Sequence, residues 1–263
     1  MPRFAANLTM MFGEWAFLDR FRAAADAGFA AVEFLFPYDH APEVIARHLT
    51  DNGLSLALFN LPPGDWAAGD RGLAALPERR DELRAGIDPA LRHAEATGVP
   101  RLHLMAGIAE RSDPSAVAAY RDAVALVADR LGEKGLGLTI EPINRRGMPG
   151  YFLDDFAFAE ALIADLARPN LTLQFDVFHR QILHGDVTMA LRRLMPVIGH
   201  VQIAGVPARH EPDEGEVNYP FVFAELDALG YQGFVGCEYI PREETVAGLG
   251  WRDQARRTAR STG

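Results

Sequence analysis

Residues 138–142 read Leu-Thr-Ile-Glu-Pro, a short β-type run that ends on a carboxylate, Glu141. The same ending recurs downstream: Asp176 closes Leu-Gln-Phe-Asp, Gln202 stands in His-Val-Gln-Ile and Glu238 in Gly-Cys-Glu-Tyr. Polar groups at the C-terminal ends of apolar strands are where barrel enzymes keep their chemistry. Three acids and one amide carbonyl converging on one point make an oxygen-rich site suited to a hard divalent cation such as Mg2+ or Mn2+. Strand parity supports convergence, because Gln174 shares a face with Asp176, His200 with Gln202 and Gly236 with Glu238. The bland reading of the same residues is a satisfied polar layer capping a barrel core. A charge buried without a partner is costly, which weighs against it.

Outward from these strand ends, short β-type runs alternate with helical periodicity. The strand runs cover 4–10, 31–36, 54–61, 101–106, 136–143, 171–178, 198–204 and 233–240. Helical stretches between them include 17–27, 41–52, 116–131, 156–167 and 221–229. Gly28, Gly53 and Gly230 supply stop signals, and Asp113-Pro114 a start signal. Eight such units in 263 residues predict an α/β fold, a single (β/α)8 TIM barrel spanning 1–263 as one domain. The tail at 252–263 is rich in arginine without an apolar stripe, which predicts a frayed, solvated end. Two connections exceed what closure needs: 62–77, with Gly64-Asp65-Trp66, and 205–219, with Arg209, His210, Glu211, Glu214 and Glu216. Each is a candidate wall or lid of a substrate site, with solvated filler as the alternative.

The net charge of -10 argues against a broad electrostatic grip on nucleic acid or anionic lipid. No segment approaches the roughly 18 uninterrupted apolar residues of a membrane span. The N-terminal apolar run is broken by Asn7, Thr9, Gly13 and Glu14, unlike a signal peptide. Cys237 is the sole cysteine, so no intrachain disulfide forms, which fits a reducing cytoplasm. Alternation places it opposite Glu238, as a wall thiol. Lys134 is the sole lysine, in a helix-ending Gly-Glu-Lys-Gly, which disfavours Schiff-base chemistry.

Two glutamates flanking a bound cation suit a proton shuttle, one removing a proton from a carbon beside a carbonyl and the other returning it to the neighbouring carbon. The reaction class expected is aldose-ketose isomerisation or epimerisation through an enediolate, with hydrolysis by activated water open to the same ligands. His179, three residues past Asp176, could donate to a substrate oxygen, orient a ligand, or simply start a helix. His103 and His200 lie within strands as core or pocket groups, while His40, His48, His93 and His184 read as surface histidines. Asn7, Glu33 and Asn60 are further candidates for the barrel mouth.

Taken together, the chain resembles the hydroxypyruvate isomerase family, within the xylose-isomerase-like barrels that include ketose 3-epimerases. The segments that carry the resemblance are Ala-Asn-Leu-Thr-Met-Met-Phe at 6–12, Val-Glu-Phe-Leu-Phe-Pro-Tyr-Asp at 32–39 and Asn-Leu-Pro-Pro-Gly-Asp-Trp at 60–66. Further on are Ile-Glu-Pro-Ile-Asn at 140–144, His-Val-Gln-Ile-Ala at 200–204, Gly-Glu-Val-Asn-Tyr at 215–219 and Gly-Cys-Glu-Tyr at 236–239. The resemblance implies that Glu141 and Glu238 are the acid/base pair, that Asp176 and Gln202 complete the metal site, and that His179 binds substrate. Asn60, His103 and Arg209 join it as substrate-binding candidates, Arg209 standing one place from the spacing of the epimerases' loop arginine. The implied reaction is hydroxypyruvate to tartronate semialdehyde, or 2-oxo-tetronate to 3-oxo-tetronate. Phe59 before Asn60, Met105-Ala106-Gly107 and Gln202-Ile203-Ala204-Gly205 look more like the oxo-tetronate branch.

Either substrate is a small anion, so its carboxylate needs a cation, and Arg71, Arg145, Arg146 and Arg209 remain open for that role. A homo-oligomer is compatible with the sequence. The competing readings are an epimerase of the same barrel group, a non-catalytic sugar-acid binding protein, and a metal-dependent nuclease. The last would need a histidine-rich multi-metal site and a basic face.

Overall fold

The computed structural model describes residues 2–252. Its strands are β1 (Arg3–Asn7), β2 (Ala31–Glu33), β3 (Ser55–Leu56), β4 (Phe59–Asn60), β5 (Arg101–His103), β6 (Gly137–Ile140), β7 (Leu171–Asp176), β8 (Ile198–Ile203) and β9 (Phe234–Cys237). Its helices are α1 (Arg20–Asp26), α2 (Pro42–Asp51), α3 (Arg80–Thr97), α4 (Pro114–Gly132), α5 (Phe156–Leu166), α6 (Val177–His184), α7 (Val187–Leu194) and α8 (Tyr219–Ala228). Every strand pairing is parallel, in the order β3-β2-β1-β9-β8-β7-β6-β5-β4. The chain's first strand therefore lies between its second and its last.

The outermost members of that order, β3 and β4, are separated in the chain by only Ala57 and Leu58. Backbone bonds from this stretch run to both sides. Ala57 N–H donates to Val32 O at 2.8 Å and Asn60 N–H to Leu35 O at 2.8 Å, while Leu61 N–H donates to His103 O at 2.9 Å. The single run expected over 54–61 is thus two short strand pieces that face different neighbours.

Helices α4, α5, α6 and α8 begin where a side chain accepts from an otherwise orphan backbone N–H. Asp113 caps α4 by accepting from Ser115 N–H at 2.8 Å, with Pro114 in the first turn. Asp176 does the same for α6, accepting from Phe178 N–H at 2.7 Å, so this strand-end acid is also a helix cap. Helix α3 carries Pro89 in its interior, and His93 Nδ1 lies 3.0 Å from Pro89 O. His93 is buried rather than exposed, correcting the surface reading: its other ring nitrogen sits 3.0 Å from His40 O, across from α3, and Tyr38 and Phe59 pack on the ring.

Of the tail expected to fray at 252–263, only Arg252 falls within the described residues. Arg252 is buried, donates to Ala27 O and Gly28 O, and stacks 4.0 Å over the Phe29 ring. The rest of that tail lies outside the described residues. Cys237 is buried in the wall, its sulfur among core groups and its thiol pushed up by that burial.

Inside the sheet the layering follows parity. Ala5, Ala31 and Ala57 form a small cluster with Phe234. Two residues further along the same faces of β1 and β2 stand Asn7 and Glu33. Small side chains below leave room for large polar ones above.

Candidate active site

Each strand apart from β3 and β8 delivers a polar side chain at or just past its C-terminal end. Asn7, Glu33, Asn60, His103 and Asp176 are the last residues of β1, β2, β4, β5 and β7, and Glu141 and Glu238 directly follow β6 and β9. In β8 the polar residue is Gln202, one position before the end. All eight side chains are buried. Register aligns them: Asn7 pairs with Glu33, Asn60 with His103, Asp176 with Gln202, and Gln202 with Gly236.

A belt of hydrogen bonds links four of them, Asn7, Glu33, Gln202 and Glu238. Thr139 Oγ1 donates to Gln174 Oε1 at 3.0 Å, Gln174 Nε2 to Gln202 Oε1 at 2.6 Å, and Gln202 Nε2 to Glu33 Oε1 at 2.8 Å. Asn7 Nδ2 bridges Glu33 Oε1 at 3.1 Å and Glu238 Oε1 at 3.4 Å, and His200 Nε2 meets Glu33 Oε2 at 2.7 Å. Glu33 is the hub, and it fits because β9 presents a glycine. A Cβ on Gly236 would sit 2.3 Å from Glu33 Oε2.

Above the belt, one ligand atom each from Glu141, Asp176, His179 and Glu238 gather within 4.8 Å of one another, so this group could hold a metal ion. Glu141 Oε1 and Asp176 Oδ2 are buried with no hydrogen-bond partner, as expected of oxygens positioned for a cation. The donor set is thus the carboxylate-rich one the sequence suggests, with two differences. Gln202 is next to Asp176, but its carbonyl oxygen already accepts from Gln174. His179 is drawn into the group, its Nε2 lying 3.5 Å from Asp176 Oδ2 and 3.9 Å from Glu141 Oε1.

The tautomer of His179 follows from its other nitrogen. Asn144 N–H, which can only donate, points at Nδ1 from 3.2 Å, and Asn144 Nδ2 lies 2.7 Å from the same atom. Nδ1 therefore accepts and Nε2 carries the proton. Burial and the nearby Arg209 charge hold the ring's pKa well below the usual histidine range, so it stays neutral. His179 is arranged as a donor.

Burial dominates the electrostatics of the acids. It raises Glu141 well above the usual carboxylate range, helped by repulsion from Glu238 and Asp176. Burial also lifts Glu238 to about 8, opposed by Arg209, and Asp176 to about 6, opposed by Arg209 and by N–H groups of Phe178 and His179. Burial, with repulsion from His200, pulls His103 to about 3, leaving a neutral ring whose Nε2 stands 3.8 Å from Glu141 Oε2 without a hydrogen bond.

Arg209 comes from the long connection after β8. Its backbone is left-handed at φ 61, its Nη2 donates to Glu238 Oε2 at 2.6 Å, and its guanidinium lies 5.1 Å from the Phe178 ring centre. Its Nε is a buried donor with no partner. The other long connection, 62–77, contributes Trp66 and Arg71. With Asn60, His103, Glu141, His179, Arg209 and Glu238 they line one cavity of about 230 Å3, whose apolar wall includes Met10, Leu35, Met105, Ile143 and Met148. Both long connections are walls of the site. Sequence reasoning passed over the role of Asn144, although it stands in the Ile-Glu-Pro-Ile-Asn segment, and over the apolar wall.

The chain is 54% identical to a 2-oxo-tetronate isomerase of Cupriavidus necator, across 95% of this chain and 97% of that one. It is 42% identical to the hydroxypyruvate isomerase of Escherichia coli strain K12, across 97% of this chain and all of that one. Among solved structures, one titled AP endonuclease, family 2, from Brucella melitensis superposes with a TM-score of 0.94 at 49% identity, across 97% of this chain and 99% of that one. A family model for the xylose isomerase-like TIM barrel matches residues 21–258, and the chain belongs to that family.

Proposed function

We propose that this chain is an isomerase of small keto and hydroxy sugar acids, and that it works by proton transfer through an enediolate, with Glu141 and Glu238 as the acid/base pair. The observation that carries the reading is the pair itself, two buried glutamates directly after β6 and β9, gathered with Asp176 and His179 within 4.8 Å. It is supported by relatives of nearly equal length named 2-oxo-tetronate isomerase and hydroxypyruvate isomerase. The first-named reaction, 2-oxo-tetronate to 3-oxo-tetronate, is favoured by the higher identity; hydroxypyruvate to tartronate semialdehyde is the second.

Glu141, Asp176, Glu238 and the Gln202 carbonyl would hold a divalent cation, Mg2+ or Mn2+, the amide turning from Gln174 to do so. When bound, such a cation polarises the substrate carbonyl and makes the neighbouring C–H acidic. The chain's own residues do the rest. One glutamate removes the proton from the hydroxyl-bearing carbon beside the carbonyl, the other delivers a proton to the former carbonyl carbon of the enediolate, and the hydroxyl proton passes to the former carbonyl oxygen. His179 donates through Nε2 to a substrate oxygen. Arg209 Nε and His103 Nε2 are buried without partners and can meet substrate oxygens, as can Asn60 at the end of β4.

We further read β3 and β4 as one strand bent across the seam, which closes the sheet into an eight-unit barrel forming one domain. The carboxylate-rich group with a single histidine and the net charge of -10 favour this reading over the nuclease for which the Brucella protein is named. Nucleic acid and membrane are not partners in this reading, the location is the cytoplasm, and the assembly is a monomer or homo-oligomer.

The test is solvent-deuterium incorporation by NMR on hydroxypyruvate and 2-oxo-tetronate, with and without Mg2+ or Mn2+, against enzyme-free controls. Enzyme-dependent exchange with product on either substrate is expected. Exchange without product keeps the chemistry and rejects that substrate. Neither exchange nor turnover in folded, cation-replete protein sinks the isomerase reading and leaves a binding protein.

A further inference from the structure

A carboxylate entering a largely enclosed pocket needs a cation or a fork of N–H donors to replace its water. The arginines open for that role separate cleanly in space. Arg145 is 70% exposed, tied to Asp154, and borders a different cavity. Arg146 is exposed. Arg209 lines the pocket, but its charge is committed to Glu238. Arg71 also lines the pocket, and among the described residues it forms no ion pair.

Arg71 is nonetheless held in place. Its Nη1 donates to the carbonyl oxygens of Asp70 at 2.6 Å and Trp66 at 3.2 Å, and its guanidinium lies 4.0 Å above the Trp66 ring. Trp66 in turn leans on Phe36 with ring centres 5.2 Å apart. The adjacent acid, Asp70, is turned away: its carboxylate accepts from Asp65 N–H and pairs with Arg79 at 2.7 Å. Among the described residues, Nε and Nη2 of Arg71 have no acceptor.

The connection that carries Arg71 is fastened to the pocket wall. Gly72, at φ +107, brings its backbone so close to Met105 that a Cβ would sit 2.3 Å from Met105 O. Its N–H donates to Pro63 O at 2.9 Å, and Ala75 N–H to Ala106 O at 2.7 Å. A guanidinium with a fixed face, two unused donor groups and, among the described residues, no ion-pair partner is a preorganised carboxylate receptor.

We propose that Arg71, seated on Trp66, is the specificity residue that anchors the substrate carboxylate and selects sugar acids over neutral sugars. The inference rests on the sugar-acid reading above. It predicts that the acid end of the substrate lies against the 62–77 connection, leaving the reacting carbons to the two glutamates.

The test is calorimetric binding of glycerate and its neutral amide, glyceramide, to Mg2+-loaded wild type, Arg71→Lys and Arg71→Gln. Wild type should prefer glycerate by ~10-fold or more, the worth of a charge-assisted contact. Arg71→Gln should erase the preference by weakening glycerate alone, and Arg71→Lys should keep part of it. Unchanged glycerate binding in Arg71→Gln overturns the proposal, as does no preference in wild type. Equal weakening of both ligands assigns Arg71 to loop structure and also overturns it. Turnover of 2-oxo-tetronate, followed in parallel, separates the two readings: an Arg71→Gln variant with unchanged KM removes the anchor and leaves the isomerase standing.

Discussion

Arg209 Nη2 donates to Glu238 Oε2 at 2.6 Å, whereas the Glu141 carboxylate meets two neutral imidazoles, His103 at 3.8 Å and His179 at 3.9 Å. The two glutamates are therefore not electrostatically equivalent. The guanidinium favours the ionised form of Glu238, and nothing comparable touches Glu141 among the described residues. Burial and the neighbouring acids raise the Glu141 carboxyl, whereas at Glu238 the Arg209 guanidinium opposes the rise most directly.

Replacing either glutamate by glutamine should lower turnover by ~10²- to 10⁴-fold, the range for a positioned acid or base. Metal content must be measured on the same samples, because loss of the cation would mimic loss of the base. Near-normal turnover in either variant would sink the shuttle.

Arg209→Gln should move the acidic limb of the kcat/KM profile to higher pH. The Arg209 charge pulls the Glu238 carboxyl downward against burial, so removing it lets that carboxyl rise. A base must be ionised, so more alkaline solution is then needed. A pH–rate profile superimposable on wild type would separate Arg209 from the ionisation of Glu238.

Cation-free protein should lose thermal stability as pH rises from about 4 to about 8. Glu238 is lifted to about 8 and Asp176 to about 6 in the folded chain, against roughly 4.3 and 3.9 when unfolded. Over that interval the unfolded chain has already released protons that the folded chain still holds. Their contribution is complete below the unfolded values and is lost as pH climbs through the folded ones. Scanning calorimetry of wild type and Glu238→Gln checks it: the fall should be shallower in the variant, and Mn2+ should raise the wild-type Tm most at the alkaline end.

Gly236→Ala should destabilise the fold by about 1–3 kcal/mol and reduce activity, because the new methyl would displace the Glu33 carboxylate from 2.3 Å. Moving Glu33 unsettles Asn7, Gln202 and His200 together. Denaturant titration alongside the activity assay gives the answer, and wild-type stability in the variant would mean that Glu33 is not held by this contact.

The acids at the strand ends are legible in sequence because a charge closing an apolar run has few structural explanations. Glu141, Asp176 and Glu238 needed only parity and position to be grouped. The Glu33 hub is not legible, since its bond to His200 joins residues 167 positions apart. His93 misleads for a related reason: helical context suggests exposure, but the α3 face it occupies is covered by Tyr38 and Phe59. The break at Ala57 and Leu58 lies within the apolar stretch Leu56 to Phe59, so only the pairing of its two ends reveals it. Likewise, four arginines of equal standing in sequence are separated only by which neighbours have claimed their charge.

The buried thiol of Cys237 has a use of its own. It lies in β9, bonded on one side to β1 at the start of the chain and on the other to β8, with Glu238 as its next neighbour. No reagent reaches that sulfur while the strand is in place, so its rate of chemical labelling is a clock for the parting of the chain's two ends. Loop motions around the pocket leave the clock untouched; excursions that dismantle the catalytic wall make it run.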